Sequence, residues 1–242
     1  MTDIAHSIEP EKANNRTNAV SVDQVLALLF APFAITLLAV LYVIVVTAQG
    51  RPFLYSSERM RTPRQSFRLL KIRTMHPVLP GDGETVLGGH QSHRVTPVGA
   101  ILRRSRLDEL PQIFNVLKGD IRFIGPRPPL RRYVESYPEL YAKVLGETPP
   151  GITGLATVTV HRREERLLSA CTNAREADRV YQRRCIPVKA RLDLIYRDRR
   201  SASLNALILF RTFARLPHFA RARQSAARYP IRRVDPVVPA PV

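Results

Sequence analysis

The sequence predicts an α+β protein, mostly helical, with an N-terminal membrane-inserted helix and one further domain containing short strands. Three observations predict it. From Val25 to Ala48 the chain is apolar for 24 residues, interrupted by Pro32 and Thr36, and roughly 20 such residues suffice to enter a bilayer core. Later segments place apolar residues at the i, i+3, i+4, i+7 spacing of helices. A few short stretches alternate as strands do.

Taken in order, residues 1–19 are polar, mixed in charge and without periodicity, and read as a disordered arm. Residues 20–49 form the membrane helix. Its long apolar core and extended polar lead argue against a cleaved signal peptide. Pro32 removes one helix hydrogen bond and predicts a bend. That leaves two geometries: a kinked span, or a helix-break-helix that enters and leaves on one face. The Arg-rich chain after Gln49 places that side in the cytoplasm.

Residues 50–219 form the cytoplasmic domain. Pro52-Phe53-Leu54-Tyr55 and Phe67 to Arg73 read as extended segments, followed by a Pro/Gly loop from Pro77 to Gly89. Helical patterning covers 97–118, where Leu110, Ile113, Phe114 and Leu117 make a core-facing stripe. Gly119-Asp120 ends it, and Ile121 to Ile124 reads as a short strand. Helices are expected over 130–145 and 173–198. Over 204–219, Leu204, Leu207, Ile208, Phe213 and Leu216 alternate with Arg211 and Arg215, which suits either an interfacial helix facing anionic lipid or a core-packed amphipathic helix. Residues 220–242 read as a basic, Pro-rich disordered tail.

The net charge of +18 and pI near 11.0 call for an anionic partner: nucleic acid, an anionic membrane surface or phosphorylated substrates. Of the 38 basic residues 33 are Arg, a bias toward planar recognition of phosphate. Cys171 and Cys185 show no metal-ligand spacing and read as free thiols. His90-Gln-Ser-His93 reads as a solvated turn. The chain has no Walker A motif, GxGxxG fingerprint or Ser nucleophile elbow.

Asp108-Glu109 is the candidate reactive pair. Neighbouring helical residues point about 100° apart, so each carboxylate is expected to have its own partner rather than share one proton. With Arg103, Arg104 and Arg106 just before them, both are expected to be ionised. An aspartate beside a metal-bound diphosphate can act as a nucleophile. The plain alternative is an Asp N-cap with Glu in the first turn and Pro111 just inside. Arg127 lies between Pro126 and Pro128, which restrict its backbone. Lys71 and Arg73 share one face of a strand and could both meet phosphate oxygens. Gly151-Ile152-Thr153-Gly154 reads as a turn whose backbone N–H groups could face an anion.

These segments, in order, resemble the bacterial sugar transferases, the monotopic polyprenyl-phosphate phosphoglycosyl transferases (undecaprenyl-phosphate sugar phosphotransferases). The residues that carry the resemblance are Lys71-x-Arg73-Thr74-Met75, Thr96-Pro97-Val98-Gly99, Leu102-Arg103-Arg104 and Leu107-Asp108-Glu109-Leu110-Pro111-Gln112. They continue with Asn115 to Asp120, Gly125-Pro126-Arg127-Pro128, Pro150 to Leu155, Asp193-Leu-Ile-Tyr196 and Ser201-x-Ser203-Leu204. Departures are Arg106 and Arg122 at positions of small residues, and Ser57 and Thr157 at positions of Gln.

The resemblance implies that the membrane helix is re-entrant, broken at Pro32, with both ends cytoplasmic at the bacterial inner membrane. It implies transfer of a sugar-1-phosphate from a UDP-sugar to undecaprenyl phosphate, the initiating membrane step of exopolysaccharide, O-antigen, capsule or glycoprotein glycan assembly. Asp108 would be the nucleophile of a covalent phosphosugar intermediate and Glu109 the Mg²⁺ ligand. Lys71, Arg73, Arg103, Arg127 and Arg59 would bind phosphates. Anionic inner-membrane lipids are the expected surroundings, with downstream glycosyltransferases and a second copy of the chain as further candidate partners and no nucleic acid. Two rivals from other classes are a membrane-tethered nucleic-acid binder, suggested by charge alone, and a non-catalytic scaffold of a polysaccharide assembly complex.

Overall fold

A computed structural model describes residues 20–76 and 94–214. The arm 1–19, the loop 77–93 with His90 and His93, and residues 215–242 lie outside it. The chain runs as helix α1 (Val22–Gln49), strands β1 (Leu54–Met60) and β2 (Ser66–Ile72), helix α2 (Pro97–Ser105), a 3-10 turn (Leu107–Glu109), α3 (Gln112–Leu117), β3 (Arg122–Ile124), α4 (Arg131–Ser136) and α5 (Pro138–Leu145). Then come β4 (Gly151–Thr153), α6 (Leu155–Ser169), α7 (Ala174–Val180), a π-helical turn (Tyr181–Cys185), α8 (Ile186–Arg199) and α9 (Ala202–Ala214). The expected α+β, mostly helical class holds.

α1 starts at a reciprocal cap. The Ser21 hydroxyl accepts from the Gln24 backbone N–H, and the Gln24 side chain accepts from the Ser21 N–H. The helix runs from Val22 to Gln49 with Pro32 inside it. The Thr36 hydroxyl donates to the Pro32 carbonyl, 3.0 Å away.

Ala27, Ala31, Ala34, Leu38, Leu41 and Val45 recur every three or four residues and form the docked stripe. Its first half packs on Leu69, Ile113, Val116 and Ile121, its second on Ile72 and Leu102. The small alanines let α1 approach closely. The rest of the helix, including Leu28, Leu29, Phe30, Phe33, Ile35 and Val43, is exposed and apolar. Such a surface suits lipid rather than water.

Both ends of α1 are tied to the same domain. Asp23 Oδ1 accepts from the Phe123 N–H at 3.0 Å, and Gln24 Nε2 donates to the Leu117 carbonyl at 3.0 Å. At the other end Gln49 Nε2 donates to the Arg73 carbonyl at 2.6 Å, and Arg73 Nη2 donates to the carbonyls of Gln49 and Gly50. Those last contacts answer the orphan carbonyls that every helix end leaves.

The strands form two small sheets. β1 and β2 pair antiparallel, with Tyr55 opposite Lys71 and Arg59 opposite Phe67. β3 and β4 pair parallel. A second core gathers Met60, Tyr133, Val134, Tyr141, Val144, Leu145, Ile186 and Ala190 beneath β1. The predicted helices over 130–145 and 173–198 occur, each divided: the first between Ser136 and Pro138, the second by the π turn. α6 was not foreseen. α9 covers 202–214, so the remainder of the predicted 204–219 helix lies outside the described residues. One face of α9 docks through Ile208 on Val158 and Tyr196, while Leu207, Phe210 and Phe213 are exposed. Cys171 and Cys185 are free thiols, as expected.

Candidate active site

The predicted 97–118 helix is three pieces, and the breaks make the site. The Thr96 hydroxyl caps α2 by accepting from the Gly99 N–H. α2 ends at Arg106, which adopts the left-handed conformation at φ 60°, a costly one for a side-chain-bearing residue. The chain then turns through Leu107–Glu109 as a 3-10 helix before Pro111 starts α3. Asp108 is therefore not the N-cap of α3. It and Glu109 are buried, at 6% and 7% exposure.

Glu109 is saturated with cations. Its Oε1 accepts from Arg127 Nη2 at 2.6 Å and Lys71 Nζ at 3.1 Å, and its Oε2 from Arg106 Nη1 at 2.9 Å. Burial opposes its charge, but Arg127, Lys71 and Arg106 outweigh that and hold its carboxyl well below the usual range. Asp108 differs. Among the described residues its one ion pair is with Lys71, at 3.8 Å. Burial and the neighbouring Glu109 charge push its pKa up against Lys71, Arg127 and Arg103. The two carboxylates do not have wholly separate partners, because Lys71 reaches both. A more basic, loosely held carboxylate is the better nucleophile.

The cations are positioned by the fold. Lys71 projects from β2, and burial lowers its pKa despite Glu109. Arg127 is held by a backbone clamp: Gly125 N–H donates to the Thr153 carbonyl, and Gly151 N–H to the Pro126 carbonyl at 2.8 Å. A Cβ at Gly151 would collide with the backbone of Ile124 and Gly125, so glycine permits the approach. The expectation that the Gly151 N–H faces an anion is thus corrected, since the clamp consumes it. Arg127 Nη1 also donates to the Ile152 carbonyl at 3.3 Å.

Arg103 Nε donates to Thr74 Oγ1 at 2.8 Å and lies close enough for Asp108 to act on its charge. Arg59 is half-buried near Arg127. Arg73 is a correction: its guanidinium binds the end of α1 and does not join the dyad. Arg106 was read as a departure from the family pattern and is instead a direct partner of Glu109. The i, i+3 spacing of 106 and 109 carried that signal. Asn115, quoted in the motif without a role, is buried. It accepts from the Leu70 N–H and donates to the Arg68 carbonyl and to Asp120, bracing β2 behind Lys71.

Among the described residues no three His, Cys, Asp or Glu side chains gather around a common point. Mg²⁺ commonly takes one or two protein carboxylates and completes its shell with phosphate oxygens and water. The adjacent carboxylates Asp108 and Glu109 fit that mode and no all-protein cage.

The sequence profile of the family described as Bacterial sugar transferase matches residues 14–218. This chain is a bacterial sugar transferase family member. It is 41% identical over 137 residues to the UDP-glucose:undecaprenyl-phosphate glucose-1-phosphate transferase of Caulobacter vibrioides, covering 54% of this chain and 49% of that one. To the protein of the same description from Klebsiella pneumoniae it is 32% identical over 170 residues, 69% of this chain and 36% of that one. The UDP-N-acetylgalactosamine-undecaprenyl-phosphate N-acetylgalactosaminephosphotransferase of Aeromonas hydrophila is 36% identical over 135 residues, 54% of this chain and 30% of that one. The sugar transferase chain spans about half or less of the length of these curated relatives.

Proposed function

We propose that this sugar transferase moves a sugar-1-phosphate from a UDP-sugar to undecaprenyl phosphate through a phosphosugar carried on Asp108. The contrast within the dyad carries the reading. Glu109 is neutralised by three cations, while Asp108 is buried, raised in pKa and loosely held. An Asp108 oxygen attacks the sugar-bearing phosphorus, the bond to the bridging oxygen breaks, and UMP leaves with that electron pair. An oxygen of the lipid phosphate then attacks the same phosphorus, the Asp108–phosphorus bond breaks, and the carboxylate is restored.

Lys71, Arg127 and Arg106 stand on Glu109 before substrate arrives, and diphosphate oxygens are alternative acceptors for the same donors. They are thus already gathered at the site, the condition under which charges stabilise a developing one best. Glu109, with Asp108 beside it, would hold Mg²⁺, which when bound offsets diphosphate charge. α1 supports a membrane arrangement with both ends on one side. Hydrogen bonds at both its ends to one domain support entry and exit on the cytoplasmic face of the inner membrane. That geometry brings the dyad to the level of a lipid-borne phosphate.

Incubation with UDP-sugar labelled in the sugar-bearing phosphate, without lipid acceptor, is expected to label the parent protein at Asp108 and release UMP. Asp108→Asn is expected to take no label and to lose at least about a thousandfold in turnover, the scale of removing a nucleophile. UMP release that requires both substrates at once would overturn the covalent step.

A further inference from the structure

Two hydroxyls join α9 to the strand that holds Arg127. Thr212, on α9, has one O–H to donate, and the Ile208 carbonyl 2.8 Å away takes it. The Thr212 oxygen also lies 2.9 Å from Thr153 Oγ1 on β4, so in that contact Thr153 donates and Thr212 accepts. Thr153 is 4% exposed, and a buried hydroxyl without an acceptor is costly. Among the described residues Thr212 is the acceptor it has.

The two partners differ in how firmly they stand. α9 is seated before it reaches Thr212: Asn205 Oδ1 accepts from the Tyr196 hydroxyl at 2.8 Å, and Ile208 is buried against Val158 and Tyr196. Leu204, Ile208 and Thr212 recur every four residues, so the docked face is the one that carries the hydroxyl. β4 is three residues paired with three, a ladder too short to stand alone. Yet β4 carries both fastenings of Arg127. The Thr153 carbonyl accepts from the Gly125 N–H at 2.9 Å, and the Ile152 carbonyl accepts from Arg127 Nη1 at 3.3 Å. The other terminal nitrogen of the same guanidinium meets Glu109 at 2.6 Å. A shift of β4 therefore moves the backbone beneath Arg127 and one arm of its fork together.

We propose that Thr212 is a positioning residue for the transfer reaction: by accepting from Thr153 it holds β4 against β3, and so aims the Arg127 guanidinium at the diphosphate. This rests on the reading of Arg127 as a phosphate ligand given above. Thr212 touches no reacting atom. Its contribution runs through Thr153 and the Gly125 and Ile152 backbone, and it comes from a helix 59 residues further along the chain than Thr153.

The test uses the full chain in lipid nanodiscs, as the parent, Thr212→Val and Thr212→Ser, each made again with Arg127→Gln. Valine keeps the shape and removes the acceptor, whereas serine keeps the acceptor. Thr212→Val is expected to speed amide hydrogen exchange over residues 122–127 and 151–153 at least about tenfold. It should also lower kcat/KM for UMP release from a panel of UDP-sugars about tenfold, since a misplacement of about 1 Å can cost about a hundredfold. Thr212→Ser should restore both. With Arg127→Gln already present, Thr212→Val should cost less than about twofold, because the group it aims is gone. An equal cost in the two backgrounds, in step with a falling melting temperature, marks Thr212 as structural only and overturns the proposal. A parent that releases no UMP refutes the functional reading and the positioning role with it, while exchange still reports the contact between the two threonines. UMP release by the parent with unmoved exchange in Thr212→Val sinks the positioning role alone.

Discussion

Glu109 and Asp193 are both buried carboxylates, and their surroundings drive them in opposite directions. Glu109 has Arg106, Arg127 and Lys71 on its oxygens and is held well below the usual carboxylate range. Asp193, on α8, has Lys189 one turn earlier, but that ammonium is turned to Glu164 at 3.0 Å and to the Tyr181 hydroxyl at 3.2 Å. Asp193 Oδ1 is buried without a hydrogen bond, and burial, only partly opposed by Lys189, pushes its pKa up to about 7. Burial is common to the two. The supply of cations decides the sign, and the fold has spent them at the dyad.

The comparison is broken most directly at the dyad itself. Glu109→Gln leaves three cations around a neutral amide and is expected to cost about 3–5 kcal/mol, as removing one partner from a buried ion cluster does. Asp108→Asn removes a carboxylate whose nearest cation is 3.8 Å away and is expected to change stability by less than about 1 kcal/mol while abolishing turnover. Unfolding of both proteins in detergent, alongside UMP release, separates the roles. Equal destabilisation of the two would show that Asp108 is as structural as Glu109.

The parts of this site legible in the sequence were those carried by spacing. The adjacent carboxylates, the proline-locked Arg127 and the alternating Lys71 follow from local geometry, and they converge. α1 was legible as an apolar run. The face of α1 that meets the domain differs from the outward one in bulk, with Ala27, Ala31 and Ala34 docked and Leu28, Leu29, Phe30 and Phe33 exposed, a difference of size within one apolar run. Arg73 failed because alternation fixes a face and cannot say which acceptor waits there; the open carbonyls ending α1 took it. Gly151 failed for the same reason, its N–H meeting Pro126 from another segment. α6 was missed because His161 to Arg166 interrupts its apolar pattern with six consecutive polar residues, and the ion pair of Glu164 with Lys189 comes from α8, 25 residues away.

The Asp193 side of the comparison gives a pH signature. Its folded pKa is raised above the usual 3.8, so the fold prefers the protonated form. Its contribution to stability is therefore full below about pH 4 and lost as pH rises through about 7. Across about 3 pH units at ~1.36 kcal/mol each, the change is at most about 4 kcal/mol. Asp193→Asn cannot ionise and should melt increasingly above the parent as pH is raised from 4 to 8. A constant difference between the two melting curves would mean that Asp193 stays ionised throughout. Glu109, lowered in pKa, loses its contribution only at the acid end, and so does not mask this window.

The smallest effects are expected at the ends of α1, where the question is whether the apolar helix is fastened twice. Gln24→Ala removes the donor to the Leu117 carbonyl and half of the reciprocal cap. Gln49→Ala removes the donor to the Arg73 carbonyl and an acceptor for the Thr96 hydroxyl. Each should cost about 1–2 kcal/mol, the scale of a cap or of a part-buried hydrogen bond. The two sites lie at opposite ends of a 28-residue helix, about 40 Å of helix path at 1.5 Å per residue, and share no hydrogen-bond partner, so the double variant should lose the sum of the two within about 0.5 kcal/mol. If Gln24→Ala combined with Asp23→Ala, which also frees the Phe123 N–H, costs nothing while Gln49→Ala costs its share, α1 is held at its C-terminal end alone, and a helix with one free end is free to cross the bilayer rather than return.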